Sequence, residues 1–93
     1  MEKVIVRTYS AGVFYCDIES RNGKEAVITN AIRLWYWKGA NSLSQLAMEG
    51  VRNPEECKFS VPTNRQIITE VIEILETTQQ AQYSIEGVKH WRD

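Results

Sequence analysis

Arg33, Trp35 and Trp37 alternate along Ile32-Arg33-Leu34-Trp35-Tyr36-Trp37-Lys38, a run that sets three aromatic residues side by side between two cations. These residue types favour β-strand, and a strand sends neighbouring side chains to opposite faces. An extended run therefore lines up Arg33, Trp35 and Trp37 on one side. Flat rings beside a planar, permanently charged guanidinium can stack a nucleobase and hold a phosphate. Arg7, Tyr9 and Tyr15 lie on two further segments of strand character. The six residues together would make one wall of a pocket for a nucleotide-derived small molecule. The competing reading spends the same rings on a hydrophobic core or on contacts between subunits, a common use of strand aromatics.

Other chemistries find less support. A Ser or Cys nucleophile needs a nearby base, and the single histidine, His90, sits near the chain end between Lys89 and Trp91, where a surface role is expected. There is no G-x-S-x-G elbow, phosphate-binding glycine loop or dinucleotide fingerprint. Glu55-Glu56 falls in an expected turn, and Glu70, Glu73 and Glu76 read as the solvated edge of an amphipathic element. Acid–base work needs a carboxylate in a dry pocket, so a non-enzymatic protein is expected. Cys16, Cys57 and His90 offer no metal-ligand spacing, and no cofactor is expected. Free cysteines are among the most buried residues, and both are read as packing groups.

These side chains belong to a chain of 93 residues, 43% hydrophobic and 25% charged, the size and composition of a single domain spanning residues 1–93. Eleven basic and twelve acidic residues nearly cancel, which argues against general nucleic-acid binding. No long apolar segment suggests a membrane span or a leader, so a reduced, cytoplasmic protein is expected. A core this small makes homo-oligomerisation a natural way to hide more surface.

The elements that must position the candidates follow from periodicity and turn chemistry. Residues 3–9 and 13–20 alternate as strands around Ser10-Ala11-Gly12. In the second, Phe14, Cys16 and Ile18 share the inner face, and Val13, Tyr15, Asp17 and Glu19 the wetter one. Asn22-Gly23 between alternating runs signals a tight hairpin. The return strand, residues 25–37, is long enough to expect a bend or bulge near Asn30. Without it, Ile28, Ile32, Leu34 and Tyr36 share one face and Val27, Thr29, Ala31, Arg33, Trp35 and Trp37 the other; with it, the faces exchange beyond Asn30. Ser42 and Gln45 fit a capping box for a two-turn helix that Gly50 stops. Residues 57–61 alternate as a strand. Residues 63–76 fit either an amphipathic helix or, as favoured by their β-branched residues, a strand over 69–76. Thr77 and Gln80 then cap a short helix through Ile85, broken by Gly87, and Val88 and Trp91 would anchor the tail. The fold expected is α+β: a twisted, mostly antiparallel sheet of about five strands, able to curl toward a barrel, with two short helices in the order βββαββα.

Lys3-Val4-Ile5-Val6-Arg7, Ser10-Ala11-Gly12-Val13-Phe14 and Asn30-Ala31-Ile32-Arg33-Leu34-Trp35-Tyr36-Trp37 resemble a family of small bacteriophage-encoded proteins of unassigned function. Gly39-Ala40, Ser42-Leu43-Ser44-Gln45-Leu46-Ala47, Gly50, Cys57-Lys58-Phe59 and Ile72-Glu73-Ile74 extend the resemblance over most of the chain. The family often has a proline after the Ile-Glu-Ile segment, which favours the strand; Glu76 stands near that point, which leaves the helix open. A phage origin implies a binding protein, one that sequesters a nucleotide-derived immune signal or, alternatively, an adaptor or inhibitor acting on a host protein.

Overall fold

The computed structural model describes residues 3–92. Within them the order is β1 (Val4–Thr8), β2 (Val13–Asn22), β3 (Glu25–Tyr36), α1 (Leu43–Glu49), β4 (Lys58–Phe59), β5 (Thr63–Ile68), β6 (Val71–Glu76) and α2 (Gln79–Glu86), with a 3-10 turn at Pro54–Glu56. All strand pairs are antiparallel and form one sheet. The α+β expectation holds, with six strands and a sheet that is not closed into a barrel. The additional strand is β5, and with β6 it resolves residues 63–76 in favour of extended chain. A helix would have aligned Ile67, Ile68, Val71, Ile72 and Leu75, whereas the strands bury Ile68 and Val71 and leave Ile67 and Ile72 exposed.

The sheet curls strongly. β5 pairs with β3 at one edge and β6 with β1 at the other, yet only Thr69 and Glu70 separate them. In a flat sheet four strand spacings, roughly 19 Å, would lie between β5 and β6. Three residues of chain reach at most about 11 Å, so the edges must bend toward each other. Two backbone hydrogen bonds fasten this corner: Tyr9 N–H to the Glu70 carbonyl and Val71 N–H to the Lys24 carbonyl, both 3.0 Å.

Bulges supply the bending. Tyr15 pairs with Ile32 but Asp17 with Thr29, which leaves an extra residue in β3, where Asn30 adopts φ 49°. The bend expected at Asn30 is there, and the faces exchange across it. Ala26, Ile28 and Ala31 join Val4, Val6, Phe14, Cys16, Ile68 and Val71 inside the curl, while Ile32 and Leu34 join the opposite core. That second core lies beneath α1 and α2 and includes Ile5, Leu46, Phe59, Ala81, Ile85 and Val88. Both sheet faces are therefore covered. The wetter face expected for β2 needs correction at Tyr15, which is fully buried under α2 and donates its hydroxyl proton to Glu86.

Turn and cap chemistry positions the rest. Asn22 stays in β2 opposite Glu25, so the hairpin turn is Gly23-Lys24 with only Gly23 at positive φ. Ser42 Oγ accepts from Gln45 N–H at 3.1 Å, and Gln45 Oε1 accepts from Asn41 N–H at 2.8 Å. The cap of α2 is Thr78 instead of Thr77: its hydroxyl accepts from Ala81 N–H at 3.0 Å and donates to the Met48 carbonyl at 2.7 Å, tying the helices together. The tail docks beside β4, where Trp91 N–H donates to the Phe59 carbonyl at 2.7 Å.

Candidate functional site

Of the six residues expected to share one wall, β3 keeps only Arg33 and Trp35 together. The reason is a second slip in register. Leu34 pairs with Phe59 and Tyr36 with Lys58, two residues against one, so Trp35 is the extra residue of a bulge. The alternation shifts there, and Trp37 turns to pack with Ala40 and Leu43 against the helix-covered core. Arg7 pairs through Nε with Glu73 on the neighbouring strand at 2.8 Å. Tyr15 is core. Tyr9 is 78% exposed and lines a small apolar cleft with Lys24, Glu70, Val71 and Ile72 at the β5–β6 corner. The single six-residue wall is thus replaced by a smaller set.

That set gains members from β4 and the tail. Trp91 meets Trp35 edge to face, with ring centroids 5.4 Å apart and planes at 86°. Lys58 Nζ lies 5.1 Å from the Trp91 ring centre. Tyr36, directly across from Lys58, is half-exposed, as are both indoles. At the other end the Arg33 guanidinium lies over the Phe14 ring at 4.8 Å. The Arg33 main chain is fixed by Ser60, which receives its N–H at 2.8 Å and returns an N–H to its carbonyl at 2.9 Å. The face thus carries Arg33 over Phe14 at one end and Trp35, Trp91 and Lys58 in successive contact at the other.

The charges on this face are the informative part. Arg33 makes no ion pair among the described residues, and its Nε is buried without an acceptor. A buried, unsatisfied donor is costly, and in a native fold it calls for an explanation such as an absent partner. Four cations elsewhere are ion-paired: Lys3 to Asp17, Arg7 to Glu73, Lys38 to Glu56 and Arg65 to Glu19. The hydrogen bonds of the last two pairs raise Lys38 and Arg65 above their ordinary values and hold Glu19 below the usual carboxylate range. Both thiols are held protonated, Cys16 at about 12 and Cys57 above its ordinary value, in each case chiefly by burial. No group of three or more His, Cys, Asp and Glu suited to a metal occurs among the described residues. Among the same residues, no helix is long and apolar enough to cross a membrane.

Lys58, Trp91 and Tyr36 were not legible as members. The alternation Cys57-Lys58-Phe59 sets Lys58 opposite Phe59, which was a usable signal for its face. That β4 adds to the end of β3, and that the tail adds to β4, was not in any local pattern.

The fold and this face define a small curled-sheet α+β protein with an aromatic, cationic surface strip. The chain belongs to the family described as a domain of unknown function, DUF6948, whose model matches residues 1–85. Arg33, Trp35 and Lys58 lie within the match and Trp91 beyond it. No curated protein and no solved structure matches the chain.

Proposed function

We propose that the protein is a non-enzymatic binder that captures a nucleotide-derived small molecule on the face formed by Arg33, Trp35, Lys58 and Trp91. The observation that carries this reading is the Arg33 guanidinium, which lies over Phe14, makes no ion pair among the described residues and has an Nε that lacks an acceptor. A guanidinium with no carboxylate partner among the described residues is free to pair with a phosphate in the bidentate geometry it favours. The half-exposed indoles beside it offer stacking surface for a base. The resemblance to phage-encoded proteins supplies the setting: sequestration of an immune signal in the cytoplasm of an infected bacterium.

Calorimetry against cyclic dinucleotides, cyclic trinucleotides and ADP-ribose derivatives tests the reading. Binding is expected for one of these classes and is lost in Arg33→Gln and Trp35→Ala. Silence across the panel at micromolar protein overturns it.

The half exposure of Trp35, Tyr36 and Trp91 also favours a second reading, an adaptor or inhibitor that uses these rings as anchors on a host protein. A stoichiometric protein partner in a pull-down, lost in Trp35→Ala and accompanied by no small ligand, would select it. Self-association through the same rings would appear as a concentration-dependent mass in sedimentation.

A further inference from the structure

We propose that the cleft between the β3–α1 connection and the segment after α1 is a second binding site, which takes a small anionic sugar. The cleft measures about 450 Å³ and is lined by Trp37, Lys38 and Asn41 from the connection, Gln45 from α1, and Arg52 and Asn53 beyond it. Small-molecule sites span about 300–1,000 Å³, so this one suits a guest the size of a monosaccharide.

The lining sorts into committed and free groups. Lys38 is paired with Glu56, and Gln45 Oε1 is taken by the Asn41 N–H. The side-chain amides of Asn41 and Asn53 and the guanidinium of Arg52 have no hydrogen-bond or ion-pair partner among the described residues. Each amide both donates and accepts, which matches the hydroxyl groups of a sugar. Arg52 supplies the fork that a phosphate or carboxylate takes. Trp37 adds an aromatic wall for the apolar face of a sugar ring, and its packing on the core holds that wall in place.

The site is built before any guest arrives. At Gly39, φ is 96° and an added Cβ would come within 2.4 Å of the Arg52 nitrogen, so the two lining segments touch backbone to backbone. Ser84 of α2 receives the Val51 N–H at 2.9 Å and donates to the Val51 carbonyl at 3.1 Å. Cys57 Sγ lies 3.5 Å from the Asn53 carbonyl and 4.0 Å from the Lys38 carbonyl, bridging the same segments. A pre-organised site loses little ordering entropy on binding. Because Trp37, just past the end of β3, packs against the helix-covered core while Trp35 is exposed beside Trp91, this site stands independently of the nucleotide-binding face.

The test is a titration of isotope-labelled protein followed by amide and indole NMR. Glucose 6-phosphate and glucuronate are the probes; glucose and inorganic phosphate are the controls. Saturable shifts are expected at Trp37, Gly39, Asn41 and Asn53 with at least one anionic sugar, and the better probe distinguishes phosphate from carboxylate. Arg52→Gln should weaken binding by about tenfold or more, the size expected for one hydrogen bond to a charged group. Asn53→Ala, a second variant at an exposed loop, should weaken both probes alike. The proposal fails if neither probe gives saturable shifts at these residues, if inorganic phosphate binds as well as the sugars, or if Arg52→Gln leaves the affinity unchanged.

Discussion

Arg33 is a residue whose stability and binding roles separate. Its guanidinium lies over Phe14, but its Nε contributes an unsatisfied donor. Replacement by Met puts a thioether against the ring and removes the orphan. Arg33→Met should therefore shift the unfolding free energy by no more than about 1 kcal/mol, measured by urea titration, while abolishing capture of the ligand. A loss of several kcal/mol would show the guanidinium to be structural. Tyr15 is the opposite case. Its ring is fully buried and its hydroxyl meets Glu86, and burial together with that carboxylate raises its ionisation far above the ordinary tyrosine value. Tyr15→Phe should cost about 1–3 kcal/mol, the range for a buried hydrogen bond to a charged partner, with no change in ligand capture.

At the scale of elements, β3 is shaped by two slips, at Asn30 and at Trp35. Asn tolerates positive φ better than other side chains, and a β-branched residue tolerates it least. Asn30→Val should destabilise by about 1–3 kcal/mol in urea titration, whereas Asn30→Gly should be close to neutral. The valine variant should also weaken ligand capture, since the slip at Asn30 sets which face receives Arg33. The end of α1 is equally constrained: Gly50 has φ 79°, and an added Cβ would come within 2.4 Å of Ser84 Cβ. Gly50→Ala should separate α1 from α2 and lower the melting temperature.

For the whole molecule, the buried protonated groups set the alkaline limit. Cys16 is held at about 12 against an ordinary thiol value of 9.0, and Tyr15 is raised in the same direction. Both folded values lie above the unfolded ones, so the stability they contribute is complete below about pH 9 and is lost as pH rises through the folded values. The urea midpoint should be flat near neutrality and fall above pH 9, and Cys16→Ala should flatten the first part of that fall. At the acid side Glu19 is held low by its hydrogen bonds to Arg65. Its contribution should disappear as pH drops below the usual carboxylate range. The native Cys16 thiol should resist a disulfide reagent at pH 8 until denaturant is added.

Local chemistry alone determined much of this protein. Alternation marked β1, β2, β3 and the segment holding β4, β-branched residues favoured a strand at β6 over a helix, Ser42 and Gly50 bounded α1, and the length of the third strand announced the bend at Asn30, because these features depend on residues close in sequence. β5 escaped because the Thr63 and Gln66 spacing imitates a helix cap; on the strand their side chains simply meet at 3.0 Å. The candidate face was half legible. Arg33 and Trp35 were visible as neighbours on one strand, but the slip that sent Trp37 to the core depends on how β4 pairs with β3. Lys58 and Trp91 reach the face only because β4 and the tail dock at the end of β3, and Tyr15 lost its exposure only when α2 closed over it. Those assignments come from contacts between segments far apart in the chain, where hydrophobic burial and backbone pairing choose among arrangements that local patterns leave equivalent.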